Sequence, residues 1–166
     1  MSDFRSWLIL GRVSNLTTVW ANALCAWILG GGGSYQDLLI LIVGLSLIYV
    51  GGMYLNDYCD VKFDHQYRPK RPIPSGKVKR NTVFAATALF FISGTALILW
   101  ISKDSLIYTL ILLALIIGYN LIHKHTVVGV PLMAACRTAV YLVVGAASLN
   151  GINPSIWGAG TLMFFY

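Results

Sequence analysis

Apolar residues in this chain come in long unbroken runs, not at alternate or every-third positions. The runs cover about 13–30, 37–55, 82–102, 105–122 and 127–149, and a sixth begins at 154 and continues to Tyr166. A helix crossing the hydrocarbon of a bilayer needs about 20 mostly apolar residues. Only helices and closed barrels satisfy their backbone there, and these runs are too long and continuous for barrel strands. The pattern predicts an all-α, multi-spanning transmembrane helical bundle with five spans and the start of a sixth. The stretch from Pro154 holds about 13 residues, short of a crossing. The expectation is therefore one transmembrane domain over 1–166, truncated in its sixth helix.

The polar connections alternate in charge. Residues 1–12 carry Arg5 and Arg12, the 56–81 segment carries seven Lys and Arg, and the turn at Lys103 carries one. On the other side, the Gly30–Ser34 and Leu149–Pro154 turns carry none, and the His123-Lys124-His125 turn carries one. Positive loops stay in the cytoplasm, so the N-terminus and the 56–81 loop are expected there. Basic residues ahead of an apolar run ending in Ala21-Asn22-Ala23 imitate a signal peptide. Ser14 and Asn15 interrupt that run, however, and apolar sequence continues past Ala23.

Composition sharpens this reading. Only 11% of residues are charged, against 57% hydrophobic, whereas soluble domains carry about 25% charged residues. The net charge of +6 fits basic cytoplasmic loops better than nucleic-acid binding. Cys25, Cys59 and Cys136 have neither metal spacing nor a disulfide pattern. The acids say most. There is no glutamate, and three of the six aspartates fall within eight residues, at Asp57, Asp60 and Asp64.

If the second span continues out of the membrane as helix, Asn56, Asp60 and Asp64 stand at i, i+4 and i+8 on one face. Asp57 lies on an adjacent face. Magnesium takes one or two carboxylates together with phosphate oxygens and waters. Three stacked oxygen side chains facing a cavity suit that, and Asn56, Asp60 and Asp64 are the candidate Mg2+ ligands. Arg68 and Arg71 follow among Pro69, Pro72 and Pro74, which stop the helix and stiffen the chain. Arginine presents a planar fork to phosphate oxygens. Carboxylates followed by fixed arginines make a site for a metal with a polyanion. Lys77, Lys79 and Arg80 precede the third span and read more simply as its interfacial anchors.

Within the spans, Arg137 is the one cation, and such a charge usually faces a cavity or a partner. Asn15 and Asn22, seven residues apart, share a face of the first helix; they line the cavity or bond to neighbouring helices. Trp20, Trp27, Trp100 and Trp157 read as packing or interface residues.

At the aspartate segment the chain resembles the UbiA-type membrane prenyltransferases, whose first motif is Asn-Asp-x-x-Asp-x-x-x-Asp. Residues Asn56 to Asp64 match every specified position. The Arg68-Pro-x-Arg71-Pro72-Ile-Pro-Ser-Gly76 tail is similar to the branch containing chlorophyll synthase and the archaeal geranylgeranylglyceryl phosphate prenyltransferases. The Arg12-x-x-Asn15 entrance also resembles the family, and Pro131 to Arg137 is similar to the EboC-like subgroup.

The resemblance implies about nine helices around a lipid-facing cavity and a second aspartate-rich motif beyond the present residues. It implies a Mg2+-dependent transfer of a polyisoprenyl group from a prenyl diphosphate to a lipophilic or aromatic acceptor. In that reading Asn56, Asp57, Asp60 and Asp64 are catalytic, and Arg68, Arg71, Lys124, Arg137 and Asn15 bind substrate. Many members carry Tyr-x-x-x-Lys after the fourth helix; here His123 follows Tyr119 at that spacing and Lys124 comes one later. Either could meet the diphosphate. Two other classes stand beside the enzyme. One is a non-catalytic membrane module that binds a prenyl diphosphate or a partner protein. The other is a transporter, which the scarcity of ionisable groups within the spans disfavours.

Overall fold

The computed structural model describes residues 4–122 and 128–166. Its described residues form eight α-helices and no strand: α1 Phe4–Leu10, α2 Leu16–Leu29, α3 Tyr35–Cys59, α4 Val61–Tyr67, α5 Arg80–Ile101, α6 Leu106–Ile122, α7 Gly129–Ala147 and α8 Pro154–Phe165. Short 3-10 turns at Val13–Asn15 and Lys103–Ser105 lead into α2 and α6.

Among the described residues, four helical stretches are long and apolar enough to cross a membrane: Tyr35–Cys59, Arg80–Ile101, Lys103–Ile122 and Gly129–Ala147. These match four of the predicted spans. The first predicted span, about 13–30, is the apolar helix Val13–Leu29, which starts just after a break in the chain at Arg12, whose backbone is left-handed (φ 45°, ψ 48°).

Local chemistry sets the helix ends. Ser34 starts α3, its hydroxyl accepting from the Gln36 N–H at 3.2 Å. Asn153 caps α8 through the Ile156 N–H at 3.1 Å, with Pro154 in the first turn, where its missing N–H costs nothing. The two uncharged turns are tied together. Gly31 and Gly32 have φ of 88° and 71°, and the Asn150 N–H donates to Gly30 O at 2.8 Å. Asn153 Nδ2 reaches Leu29 O at 2.9 Å. This gathers the far ends of α2, α7 and α8.

The main core joins α2, α3, α5, α6, α7 and α8 around Leu41, Leu45, Ile48, Ile98, Val143, Val144 and Ile156. Helices α3 and α5 cross closely at Gly44 and Gly94, where a Cβ on Gly94 would lie 2.6 Å from Gly44 O. Hydroxyls within the bundle use backbone carbonyls. Ser105 Oγ donates to Val143 O at 3.0 Å and Thr109 Oγ1 to Ser105 O at 2.8 Å, as apolar surroundings require.

A second, smaller core sits at the other end, where Leu10, Tyr54, Ile73, Val78 and Val83 are buried together. It joins α1, the end of α3, the start of α5 and the loop between α4 and α5. Trp7 and Phe90 flank the Tyr54 ring at 5.3 and 5.5 Å. This cluster holds the aspartate segment in place.

Candidate active site

Helix α3 does run on past its apolar part. The Asp60 N–H donates to Asn56 O and the Asp64 N–H to Asp60 O, both at 2.9 Å. Helical bonding thus carries through the junction at Asp60 into α4, and Asn56, Asp60 and Asp64 keep the i, i+4, i+8 register. All four motif residues are buried, Asp64 almost completely at 1% exposure. The segment is therefore not a solvated loop.

Arg71 closes the site. Its Nη1 donates to Asp57 Oδ1 at 3.0 Å and to Asp64 Oδ2 at 2.9 Å. The turn that follows α4 delivers it. Ile73 and Val78 are buried in the smaller core, and the Val78 N–H bonds back to Pro72 O at 3.1 Å. With those apolar residues anchored, the half-buried Arg71 faces the carboxylates. Charged groups removed from water must be paired to persist, and Arg71 pairs two of them.

Arg68 departs from expectation. It is exposed at the end of α4, and its guanidinium lies 6.0 Å from the centre of the Phe63 ring. Its backbone N–H donates to Asp64 O at 2.8 Å, but among the described residues its side chain makes no hydrogen bond or ion pair with the aspartates. It stands at the helix terminus, three residues before the turn that aims Arg71 inward. Lys124 and His123 lie outside the described residues. Arg80 lies 4.2 Å over the Tyr58 ring at the start of α5, which suits the anchoring role read from the sequence.

Arg12 is a site residue to which the sequence reading assigned no role beyond the likeness of the Arg12-x-x-Asn15 entrance to the family. Its Nη2 donates to Asn56 Oδ1 at 3.1 Å and lies 3.7 Å from Asp57 Oδ1. The signal available in the sequence was Gly11-Arg12 immediately before an apolar run, a helix break beside a charge.

Arg12 also lines a cavity of about 360 Å³ between α2, α3, α6 and α7. Asn15, Asn22, Tyr119, Asn120 and Arg137 line it too, with an apolar wall of Leu45, Ile48, Leu112, Ile116 and Val140. Asn15, for which the sequence left two placements open, and Arg137 thus both line the cavity. Asn22 accepts from Tyr141 Oη at 3.4 Å, so it also serves packing.

The donor set can be tested against magnesium. Among the described residues no group of three or more acid, His or Cys side chains is placed to hold a metal alone. Magnesium does not need such a cage when a diphosphate supplies oxygens. Asp64 Oδ1 is buried and accepts no hydrogen bond from the described residues. A buried carboxylate oxygen left open while its twin holds Arg71 fits a hard cation.

The model of the UbiA prenyltransferase family matches residues 14–166. The chain is 29% identical over 153 residues to digeranylgeranylglyceryl phosphate synthase of Saccharolobus solfataricus, covering 91% of this chain and 54% of that protein. It is 31% identical to the enzyme of the same name from Methanoculleus marisnigri, covering 85% and 51%. It is 30% identical to 4-hydroxybenzoate octaprenyltransferase of Aeromonas salmonicida, covering 87% and 51%. The chain spans about half the length of these relatives. A solved structure described as "Structural and mechanistic insights into the biosynthesis of Digeranylgeranylglyceryl phosphate synthase in membranes" superposes with a TM-score of 0.84 at 24% identity, over 99% of this chain and 58% of that one. That likeness speaks for the fold.

Proposed function

The chain belongs to the UbiA prenyltransferase family, and from that premise we propose that it carries the diphosphate-binding half of an integral membrane prenyltransferase. The observation that supports this most is Arg71 bridging Asp57 and Asp64 beside a cavity in the bundle. Arg12 touches both regions, since it lines the cavity and bonds to Asn56.

In this reading the polyisoprenyl tail of the donor lies along the apolar wall of the cavity. Its diphosphate lies against the aspartate segment, on the cytoplasmic side of the membrane. Asn56, Asp60 and Asp64 would hold magnesium, which when bound would supply charge neutralisation to the diphosphate. Arg71 and Arg12 fix the carboxylates in position and add positive charge where the leaving group gains negative charge. The bond between the allylic carbon and the diphosphate oxygen breaks, and its electron pair leaves with the diphosphate. An acceptor atom then bonds to that carbon and gives up its proton. The names of the relatives include both a glyceryl phosphate and a hydroxybenzoate, so the acceptor is a lipophilic or an aromatic molecule.

The test is release of diphosphate from geranylgeranyl diphosphate. Membrane extract serves as the acceptor source, and the protein is the product of the complete reading frame in detergent. Release that requires magnesium and is abolished by Asp60→Ala supports the enzyme. Binding of the donor with no release, in protein that remains folded, points instead to a non-catalytic module.

A further inference from the structure

A second cleft, of about 470 Å³, opens at the charged end of the bundle between α4 and the start of α5. Ile73 and Val78 form its apolar back, and both are buried in the smaller core. His65, Lys79, Arg80 and Asn81 stand around it, all exposed. Among the described residues no acid lines it. It shares no residue with the cavity that Arg12 and Arg137 line, and neither Arg71 nor an aspartate of the motif borders it.

The two cations of the cleft are not used by the fold. The described ion pairs all belong to Arg12 and Arg71. Asp64, next in sequence to His65, is buried and bonded to Arg71. Arg80 instead lies over the Tyr58 ring, 4.2 Å from its centre. A guanidinium stacked on its face is held in orientation and keeps its N–H edge for a phosphate. A cation that only snorkels to water needs no recess beside it. Here two of them flank one with an apolar back.

The cleft also sits where a lipid can reach it. Asn81, Phe84, Ala88 and Ile92 stand at i, i+3, i+7 and i+11 of α5 and so share a face. All four are exposed, Phe84 by 52% and Ile92 by 69%. On a helix that crosses a membrane, an exposed apolar stripe faces acyl chains. From Asn81 to Ile92 it runs about 17 Å at 1.5 Å per residue, close to the hydrocarbon depth of one leaflet.

The geometry points to a binding site for one anionic phospholipid of the surrounding bilayer. Its phosphate lies between Lys79 and Arg80, and an acyl chain lies along Phe84, Ala88 and Ile92. His65 and Asn81 offer hydrogen bonds to the rest of the headgroup. Because no acid lines the cleft, the ammonium of a zwitterionic headgroup finds no counter-charge there. Ile73 and Val78 also anchor the turn that delivers Arg71, so the bound lipid steadies that turn. The lipid site does not depend on the function proposed above.

The experiment counts lipids bound to the product of the complete reading frame in detergent, by native mass spectrometry. The probes are dioleoylphosphatidylglycerol and dioleoylphosphatidylcholine, which differ only in headgroup. The wild type is expected to hold one phosphatidylglycerol with a Kd at least about fivefold below that for phosphatidylcholine, the usual worth of one interfacial cation. Lys79→Gln combined with Arg80→Gln removes that preference. Lys62→Gln combined with Lys70→Gln takes away as much charge at exposed residues outside the cleft, and leaves it. Asn81→Trp keeps both cations but fills the cleft, and weakens phosphatidylglycerol binding. Equal Kd values for the two lipids in the wild type, or a preference that survives in the folded Lys79→Gln, Arg80→Gln protein, overturns the inference. So does the same loss in the Lys62→Gln, Lys70→Gln protein, which would mark diffuse surface charge, or unchanged binding in Asn81→Trp. Glycerophosphoglycerol, the headgroup without acyl chains, identifies the source of the phosphate. It is expected not to displace the lipid at equal concentration; displacement would mark a site for soluble phosphate esters and overturn the lipid assignment.

Discussion

Arg12 and Asn56 are 44 residues apart, and the guanidinium Nη2 of one donates to the side-chain oxygen of the other at 3.1 Å. The left-handed backbone at Arg12 (φ 45°) turns the chain between α1 and the turn into α2, and so brings that guanidinium against the end of α3. A non-glycine residue in this conformation carries about 1–2 kcal/mol of backbone strain. The side chain's reach to Asn56 and Asp57 is the compensating interaction.

Two substitutions at this position separate strain from charge. Arg12→Gly and Arg12→Ala both lose the guanidinium and are both expected to weaken donor binding, seen as a raised KM for prenyl diphosphate. Glycine relieves the left-handed strain and alanine does not, so Arg12→Gly should be more stable by about 1 kcal/mol. Thermal unfolding in detergent checks this. Equal stability would mean that the backbone at residue 12 is free to relax.

Arg71 is expected to matter more for stability. Its two partners are 7% and 1% exposed, while its own side chain is 23% exposed. Removing one member of a buried pair typically costs about 3–5 kcal/mol, and the partial exposure of Arg71 puts Arg71→Ala near the lower end. Asp64 would then lose its cation, and Asp57 would keep only Arg12 at 3.7 Å. Adding Asp57→Asn to Arg71→Ala should recover part of the stability but not the activity. A double mutant no more stable than the single one would show that repulsion between Asp57 and Asp64 is not what the arginine suppresses.

The spans and the aspartate register were legible in the sequence because both rest on spacing. An unbroken apolar run predicts a membrane helix, and oxygen side chains at i, i+4 and i+8 predict a shared face wherever the helix continues. Asn56, Asp60 and Asp64 keep that register through the junction at Asp60. Arg137 was legible as a charge where none is cheap. The choice between Arg68 and Arg71 was not, since both follow the aspartates among prolines. Burial of Ile73 and Val78 against Leu10, Tyr54 and Val83 decides which arginine faces inward. That cluster joins residues up to 73 positions apart. Arg12 was hidden for the same reason, because its role depends on a contact across the fold.

The crossing of α3 and α5 makes a prediction about packing alone. A Cβ on Gly94 would lie 2.6 Å from Gly44 O and 2.9 Å from Ile48 Cγ1. A helix carbonyl cannot swing aside as a side chain tip can, so Gly94→Ala should force the helices apart at a cost of about 1–3 kcal/mol. Gly118 in α6 has nothing within 4 Å of such a Cβ. Gly118→Ala should be neutral or gain up to about 1 kcal/mol from helix propensity. The two thermal midpoints should move in opposite directions or differ clearly. A Gly94→Ala protein as stable as the wild type would mean that the crossing opens without loss.

On the proposed function the aspartates would divide into two jobs, and magnesium dependence would tell them apart. Asp57 offers its Oδ1 to Arg71 at 3.0 Å and lies 3.7 Å from Arg12. Asp64 offers only Oδ2 to Arg71, and its buried Oδ1 has no described partner. A residue whose oxygen is open to the cation loses metal directly when that oxygen is replaced. One that acts through an arginine changes metal affinity only by the about 10–100-fold seen for groups that orient ligands. Asp64→Asn is therefore expected to raise the magnesium concentration for half-maximal diphosphate release beyond about 100-fold, and Asp57→Asn to stay near the lower end of that range. Asp57→Asn should also lower the thermal midpoint in the absence of magnesium, because Arg71 and Arg12 lose a charged partner. Chelation with EDTA should abolish release in the wild type. If Asp57→Asn proves the more magnesium-dependent of the two, Asp57 is the metal ligand, and the open oxygen of Asp64 is only a packing consequence of its bond to Arg71.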